Sequence, residues 1–455
     1  MLFRSAARRW PQAVNFSRVN RLGWLTTPRD SLAIWDSLAR FAEETRRAGY
    51  DRTLVCGMGG SSLAPRVLVR SFGAAGVEVL DSTVPAAVVA VSSGPIDRTL
   101  FLISSKSGGT VETLAFYHHF AALADPSQFV AVTDPGSPLE SLARSRKFRA
   151  VFPHPLDVGG RFAALTVVGM LPAALAGVDG RELLQRAVRL DPEPAQALGR
   201  TLGTASLEGR TKLWLRPPAA IAELAAWIEQ LVAESTGKAG RGILPIVGAG
   251  VAGDRSDVES VVDFSSDPLD LGMEFYRWEF ATQTMGEAIG VNPFDQPDVE
   301  AAKVFAREEL RRLGAGERSR PPATLTPGDL RRAARPGDYL AILAYLPPFP
   351  DVVGAMERVR AVWGNELNVP TTLGFGPSYL HSTGQLHKGG PNTGLFLVIT
   401  AEDPVDREIP TMGRTFGQLK QAQAVGDLKA LLARGRRVAH VHLARPDDFG
   451  SLLSI

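Results

Sequence analysis

Short apolar runs alternate with helix-length amphipathic segments through the first part of the chain. The runs are TLVCGM (53–58), VEVL (77–80), TLFLISS (99–105) and FVAVTD (129–134). Each is rich in Val, Leu and Ile without a polar face, which is typical of strands that are buried on both sides. Their alternation with helices predicts a parallel sheet covered by helices.

An amphipathic helix is predicted just before the first of these strands, in DSLAIWDSLARFAEETRRAG. Asp30 is placed to cap its N terminus and Gly49 to end it, while Ile34, Leu38 and Phe41 form one apolar stripe. We therefore expect a first α/β domain over residues 30–190, preceded by an N-terminal segment, 1–29.

The alternation resumes after a polar, Pro-containing stretch near 191–210. KLWLRP, ILPIVG and SVVDF are predicted strands, and AIAELAAWIEQLVAES and about 271–289 are predicted helices. They indicate a second α/β domain over 200–335, which ends in a stretch rich in Pro, Gly and Arg that is typical of a linker or surface loop. Beyond it, YLAILAYL, TLGFG, GLFLVIT and RVAHVHL predict a C-terminal α/β subdomain over 336–455.

Composition and net charge indicate which kinds of molecule the protein binds. The net charge of the 455 residues is +2, so no field favours nucleic acid or an anionic membrane, and no apolar run approaches the roughly 18 residues of a membrane helix. The single cysteine, Cys56, excludes an internal disulfide and a Cys-rich metal site and suits a reducing cytosol. The basic start, MLFRSAARRW, reads as an ordinary N-terminal segment rather than a transit peptide. We expect a cytoplasmic protein that acts on a small molecule.

Two loops at predicted strand ends have the composition of phosphate sites. GMGGSSLAP and ISSKSGGT combine glycines, hydroxyl side chains and a helix entrance, which together offer many donors to an anion. In the first loop, Ser62 replaces the third glycine of a dinucleotide fingerprint, which disfavours a nicotinamide cofactor. No P-loop nucleotide motif is present either. Read alone, each loop could equally be a Gly/Ser turn that caps a helix.

Five motifs in order resemble those of the glucose-6-phosphate isomerase family: GMGGSSLAP, SSKSGGTVET, DVGGRFAALTVVG, AESTGKAGRGILPI and NPFDQPDVEAAK. The chain looks closest to the isomerase half of bacterial transaldolase/phosphoglucose isomerase fusions, which YLHSTGQLHKGGPNTG also resembles. Because the isomerase-like motifs begin within about 60 residues of the start, we do not expect transaldolase activity. The resemblance implies two sugar-isomerase (SIS) domains with doubly wound parallel sheets.

The resemblance also implies reversible aldose-ketose conversion of a hexose 6-phosphate, with no cofactor and no metal. Glu234 is the candidate base; its place at the edge of an apolar helix stripe would partly desolvate it. Arg161 is the candidate cation for the enediolate, and Lys303 matches the family lysine near the sugar ring oxygen. The phosphate, by resemblance, belongs to Gly60, Ser61, Ser105, Lys106, Ser107, Thr110 and Gln296.

Ring opening is where this sequence departs from the family. The family histidine follows the catalytic glutamate closely, whereas here no histidine lies between His154 and His381. We therefore expect the segment HSTGQLHKGG to supply it, with His387 as first choice and His381 as second. Both could instead be structural histidines, and their spacing fits no common metal motif.

Two other classes of protein remain as alternatives. A non-catalytic SIS-type regulator would bind sugar phosphate through the serine loops without needing Glu234 or Arg161, and a nicotinamide-dependent oxidoreductase would need the missing glycine. The sequence leaves glucose versus mannose specificity open, and the family resemblance is compatible with a homodimer.

Overall fold

The computed structural model describes residues 21–248 and 262–454. Within these ranges, the first half of the chain forms a five-stranded parallel sheet in the order β2-β1-β3-β4-β5. The strands are β1 (Arg52–Gly57), β2 (Val77–Leu80), β3 (Thr99–Ser104), β4 (Phe129–Thr133) and β5 (Ala150–Pro153).

Helices cover this sheet and extend beyond it. They are α1 (Thr27–Arg47), α2 (Gly60–Ser71), α3 (Pro85–Ser92), α4 (Val111–Phe120), α5 (Pro138–Ser145), α6 (Val167–Leu175), α7 (Gly180–Val188) and α8 (Pro192–Leu207). In α1, Pro28 lies in the first turn and Arg46 and Arg47 in the last, the ends that these residues favour.

The second half of the chain builds another parallel sheet, in the order β13-β10-β8-β9. Its strands are β8 (Tyr339–Tyr345), β9 (Thr371–Phe375), β10 (Gly394–Ala401) and β13 (Arg437–Leu443). Two short pairs accompany it: the parallel strands β6 (Lys212–Leu215) and β7 (Leu244–Val247), and the antiparallel strands β11 (Glu408–Ile409) and β12 (Arg414–Thr415).

The helices of this half are α9 (Leu224–Thr236), α10 (Leu271–Ile289), α11 (Glu300–Gly314), α12 (Pro327–Arg332), α13 (Pro350–Leu367), α14 (Gly384–Gly389), α15 (Phe416–Ala433) and α16 (Gly450–Ser454). Helix α10 coincides with the predicted helix from 271 to 289. None of the helices within the two described ranges is long and apolar enough to cross a membrane.

The predicted α/β class with parallel sheets is confirmed. The second sheet, however, lies within 339–443, in the predicted C-terminal subdomain, whereas the predicted domain over 200–335 contributes the pair β6-β7. Arg360 joins the two: its Nη2 donates to the carbonyl of Val247 at 2.7 Å and to that of Thr371 at 2.6 Å. The predicted strand SVVDF lies partly outside the described residues. The domain boundaries themselves stay a prediction.

Strand β5 was not expected from the sequence. Its four residues, AVFP, are partly exposed and end in a proline. The segment therefore lacks the buried apolar run that predicts β1 to β4. Strand β5 lies at the edge of the sheet and pairs with β4 alone, so its residues stay partly exposed and need not all be apolar.

Candidate active site

Helix α9 carries the predicted base into the interior. From Leu224 to Thr236 it has no glycine or proline, and nearly all its residues are buried. The side chain of Glu234, near its C-terminal end, is 11% exposed, and its Oε1 lies 3.0 Å from Nη1 of Arg161. An ion pair this far from solvent is stable only when both charges have further partners. The carboxylate and the guanidinium, both candidate site residues, thus lie in direct contact.

Arg161 has those further partners. It lies in the tight turn Gly160–Phe162, and its Nε donates to Ser235 Oγ at 2.8 Å. Its Nη2 donates to the carbonyls of Pro293 and Asp295, at 2.5 and 3.0 Å, and its Nη1 to Gln296 Oε1 at 3.1 Å. The five guanidinium donors thus hold the end of α9 and the segment 293–296 together. Gln296, predicted to bind phosphate, is exposed and held by this arginine.

The first glycine-rich loop lies directly against these groups. Gly59 has φ +57°, and a Cβ there would stand 2.8 Å from Gln230 Nε2 and 2.9 Å from the carbonyl oxygen of His381. A Cβ on Gly60 would clash with the carbonyl oxygen of Gly160. Both glycines are required by close approach. Helix α2 begins at Gly60, so its N terminus lies against the turn that carries Arg161.

Gln230 links the carboxylate to the histidine segment, and the sequence analysis missed it. It lies one turn before Glu234 on α9; its Nε2 is 3.2 Å from Glu234 Oε2 and 2.7 Å from the carbonyl of His381. Its position four residues before the predicted base was a usable signal, because such residues share a helix face.

His381 is paired with a carboxylate from the other half of the chain. Its Nε2 lies 2.9 Å from Oε1 of Glu112, a residue of α4 that is 4% exposed. Burial alone would lower the pKa of His381, but the charge and hydrogen bond of Glu112 outweigh it, so the pKa lies above its ordinary value. Burial would raise the pKa of Glu112, yet His381 holds it below its usual range.

His387 lies in a different setting. Its ring is 1% exposed and packs among the rings of Tyr339, Tyr379 and Phe396. Neither ring nitrogen has a hydrogen-bond partner among the described residues. Burial, with the nearby charges of Lys388 and Arg436, lowers the pKa of His387 well below its ordinary value. The surroundings therefore favour the neutral ring, and no described residue accepts a hydrogen bond from it.

The second predicted phosphate loop follows β3. Ser105 Oγ and Thr110 Oγ1 lie 2.9 Å apart, so the two hydroxyls face one another. Lys106 Nζ lies 2.8 Å from both carboxylate oxygens of Asp134, which also contacts His154 at 3.0 Å. The charge of Lys106 is thus largely matched inside the protein.

The remaining phosphate candidates differ in how they are held. Ser107 is exposed, and its Oγ accepts from the amide of Gly109 at 3.3 Å. Ser61 is half-buried in the first turn of α2.

Two lysines flank the site. The side chain of Lys303, on α11, is 49% exposed and its Nζ contacts Glu300 Oε1 at 2.7 Å, but its charge still acts on His381 and Glu112. Lys238, which the sequence analysis did not single out, is 4% exposed; its Nζ lies 2.9 Å from Asp295 Oδ1. Burial and the charge of Arg161 lower the pKa of Lys238 to about 8.

Among the residues described, no group of three or more His, Cys, Asp or Glu side chains is arranged to hold a metal ion. The side chains that meet at the carboxyl ends of the first sheet are instead an ion pair, a histidine-carboxylate pair and hydroxyl-rich loops. This arrangement suits proton transfer on a small anion.

Comparison with a solved structure bears on the fold. The chain is similar to a crystal structure of a glucose-6-phosphate isomerase from Chlamydia trachomatis, with a TM-score of 0.52 and 20% identity, over 63% of this chain and 74% of that one. At this identity the likeness concerns the fold alone, and it agrees with the SIS-type α/β architecture predicted. No protein-family model matches the chain.

Three related sequences are named as glucose-6-phosphate isomerases or probable ones. The chain is 31% identical to a probable glucose-6-phosphate isomerase of Haloquadratum walsbyi, over 50% of this chain and 56% of the relative. A second probable one, from Natronomonas pharaonis, is 33% identical over 52% and 57%. A glucose-6-phosphate isomerase of Rubrobacter xylanophilus is 26% identical over 64% of this chain and 90% of its own length.

The chain thus spans little more than half the length of the first two relatives. Its similarity to these isomerases is moderate and partial. The closer likeness to the isomerase half of transaldolase fusions stays a prediction.

Proposed function

We propose that this chain interconverts glucose 6-phosphate and fructose 6-phosphate through a cis-enediolate. The observation that carries the proposal is the buried pair of Glu234 and Arg161, 3.0 Å apart, beside the glycine-rich loop. A base and a fixed cation are the two groups that proton transfer between C1 and C2 requires.

The proton transfer follows from these two groups. Glu234 takes the proton from C2 of the open-chain aldose, the electron pair of that C–H bond forms the C1=C2 double bond, and O1 gains negative charge. Arg161 faces that charge with a guanidinium that stays protonated throughout. The O2 hydroxyl proton passes to O1 as the C2=O2 carbonyl forms, and Glu234 returns its proton to C1, which gives the ketose. Gln230 orients the carboxylate through its bond to Oε2.

Ring opening is assigned to His381 rather than to His387. A protonated imidazole can give its proton to the ring oxygen O5 as the C1–O5 bond breaks, while the C1 hydroxyl loses its proton to solvent. His381 is suited to this because Glu112 favours its protonated form. His387 is held neutral in an aromatic pocket. Lys303 lies within electrostatic range of His381, which supports a place near the sugar ring.

The phosphate is assigned to the two loops and the start of α2. The facing hydroxyls of Ser105 and Thr110, with Ser61, Ser107 and the amide of Gly60, offer short donors on rigid backbone. Gln296 reaches the site from the segment held by Arg161. The side chain of Lys106, paired with Asp134, contributes mainly by fixing its loop.

A coupled assay that converts fructose 6-phosphate to glucose 6-phosphate tests the proposal. Wild type is expected to turn over, and Glu234→Gln to lose about 10³-fold in kcat while still binding substrate, because the amide cannot accept the proton. Glu229→Gln is the matched control and is expected to stay active; it lies five positions earlier on α9, where its carboxylate accepts from Thr372 Oγ1 at 3.1 Å. Wild-type binding without turnover of glucose- or mannose-type phosphates would indicate a non-catalytic regulator instead.

A further inference from the structure

A buried glutamine stands behind the carboxylate that holds His381. Gln423, on α15, is 5% exposed, and its Nε2 lies 2.6 Å from Oε1 of Glu112. On the other side, Thr83 Oγ1 donates to Gln423 Oε1 at 3.1 Å. We propose that Gln423 is a positioning residue for ring opening, acting through Glu112 on His381; this rests on the proposed isomerase function.

The orientation of the amide is fixed by its partners. An ionised carboxylate only accepts hydrogen bonds, so the group that faces Glu112 must be the amide nitrogen. The carbonyl end then faces Thr83, a fully buried hydroxyl that can donate to it. The flipped amide would set two acceptors against each other at Glu112. Gln423 therefore has one stable orientation.

The backbone of Gln423 is held as well. Its carbonyl lies 3.4 Å from the hydroxyl of Tyr345, which is 3.1 Å from that of Tyr379, and Tyr379 donates to Asp427 at 2.6 Å. These contacts lie between α15 and Tyr345 at the end of β8, whereas Glu112 lies on α4, which packs on the first sheet. Gln423 thus contacts a group of the first sheet's layer from a helix that also packs on the second sheet.

A neutral donor is the residue type this position needs. Oε1 of Glu112 accepts from both His381 and Gln423. The charges that act on Glu112 are those of His381 and Lys303, and Tyr345 is the other titratable group affected by it. A lysine at 423 would compete with His381 for the negative charge, whereas an amide stabilises the ionised carboxylate and leaves its charge for the histidine.

The test uses a pair of substrates that differ only in whether the ring must open. Fructose 6-phosphate cyclises through O5, whereas 5-deoxyfructose 6-phosphate lacks that oxygen and stays open. Gln423→Met is expected to lower kcat/KM on the cyclising sugar about tenfold and to leave the open-chain sugar within about twofold. Glu234→Gln is expected to lose both. Wild-type inactivity on both sugars would refute the proposed function and, with it, the role of Gln423; activity of the wild type on both, with equal losses in the variant, would refute the role alone.

A second variant covers the case in which Gln423→Met fails to fold. Gln423→Glu keeps the shape, but its carboxyl can donate to Glu112 only when it is protonated. The ratio of the two kcat/KM values should therefore be low at pH 8 and recover toward the wild-type ratio as the pH falls to 6. A merely structural role would not give this pH dependence.

The matched control is Gln283→Met, which removes a glutamine-glutamate hydrogen bond of 3.0 Å on α10, away from His381. It is expected to leave the ratio unchanged. Equal losses on both sugars in the two Gln423 variants, or an unchanged ratio in both, would overturn the proposal.

Discussion

Two histidines of one short segment lie in opposite chemical surroundings. Around His381 the buried polar groups are joined in a chain: Glu112 accepts from the histidine and from Gln423, and Gln230 holds the carbonyl of the histidine. Around His387 several polar atoms have no partner among the described residues: both ring nitrogens, the hydroxyl of Tyr339 and Nε of Arg436.

These different surroundings indicate which of the two histidines can exchange protons. A group that titrates near neutrality needs a partner that stabilises its charged form and a route to the reacting atom. His381 has the first in Glu112 and lies against the glycine-rich loop. His387 packs among aromatic rings and lies near the positive charges of Lys388 and Arg436, so protonation there would bury an unpaired charge. The first is suited to chemistry and the second to packing.

The sharpest way to break this comparison is to exchange each ring for one that cannot carry a proton. His381→Phe is expected to lower kcat on fructose 6-phosphate by about 10²-fold or more, the usual contribution of an acid-base group. His387→Phe preserves the aromatic packing and should stay within about threefold of wild type. Steady-state kinetics of the two variants measure both effects. A large loss in His387→Phe with little loss in His381→Phe would restore His387 as the ring-opening residue.

A smaller effect is expected when the partner of His381 loses its charge. Glu112→Gln keeps the shape of the side chain but removes the negative charge that raises the pKa of His381. The protonated imidazole should therefore persist only to lower pH, and kcat should fall about tenfold at pH 8 and less at pH 6. The pH dependence of kcat measures this. A profile that moves to higher pH would show that Glu112 does not govern the histidine.

The smallest effect concerns stability in acid. The pKa of His387 is well below its ordinary value in the folded chain, whereas the unfolded chain binds a proton near pH 6.5. Stability from this group is thus present above about pH 6.5 and lost as the pH falls, by up to about 1.4 kcal/mol per pH unit. His387→Phe should make the melting temperature less sensitive to pH between 6.5 and 5.5.

His442→Phe removes a histidine whose ring lies at the surface, and it is the control for the loss of a histidine as such. Equal pH sensitivity of wild type and His387→Phe would mean that the buried ring has a proton partner after all.

Much of the fold could be predicted from local pattern. The apolar runs of β1, β3 and β4 and the unbroken helical pattern of α10 each reflect the burial of one short segment, which periodicity reports directly. The placement of Glu234 at the end of a half-buried helix and of Arg161 after two glycines is equally local. That the two lie together agrees with the resemblance noted from their motifs.

The sequence did not predict the edge strand β5, nor which strands form the second sheet. Strand pairing joins segments far apart in the chain, and an exposed edge carries a weak apolar signal. Sequence patterns locate strands better than they assign them to a sheet.

By itself, then, the sequence determined the α/β class and most strands and helices, while the anion site with its base and its cation stays a prediction. Only the tertiary structure decided which histidine meets a carboxylate. Glu112 and His381 are 269 positions apart, and Glu112 and Gln423 are 311 apart. No periodicity along a chain encodes contacts between helices that pack on different sheets, because such contacts depend on how the sheets are packed together rather than on local burial.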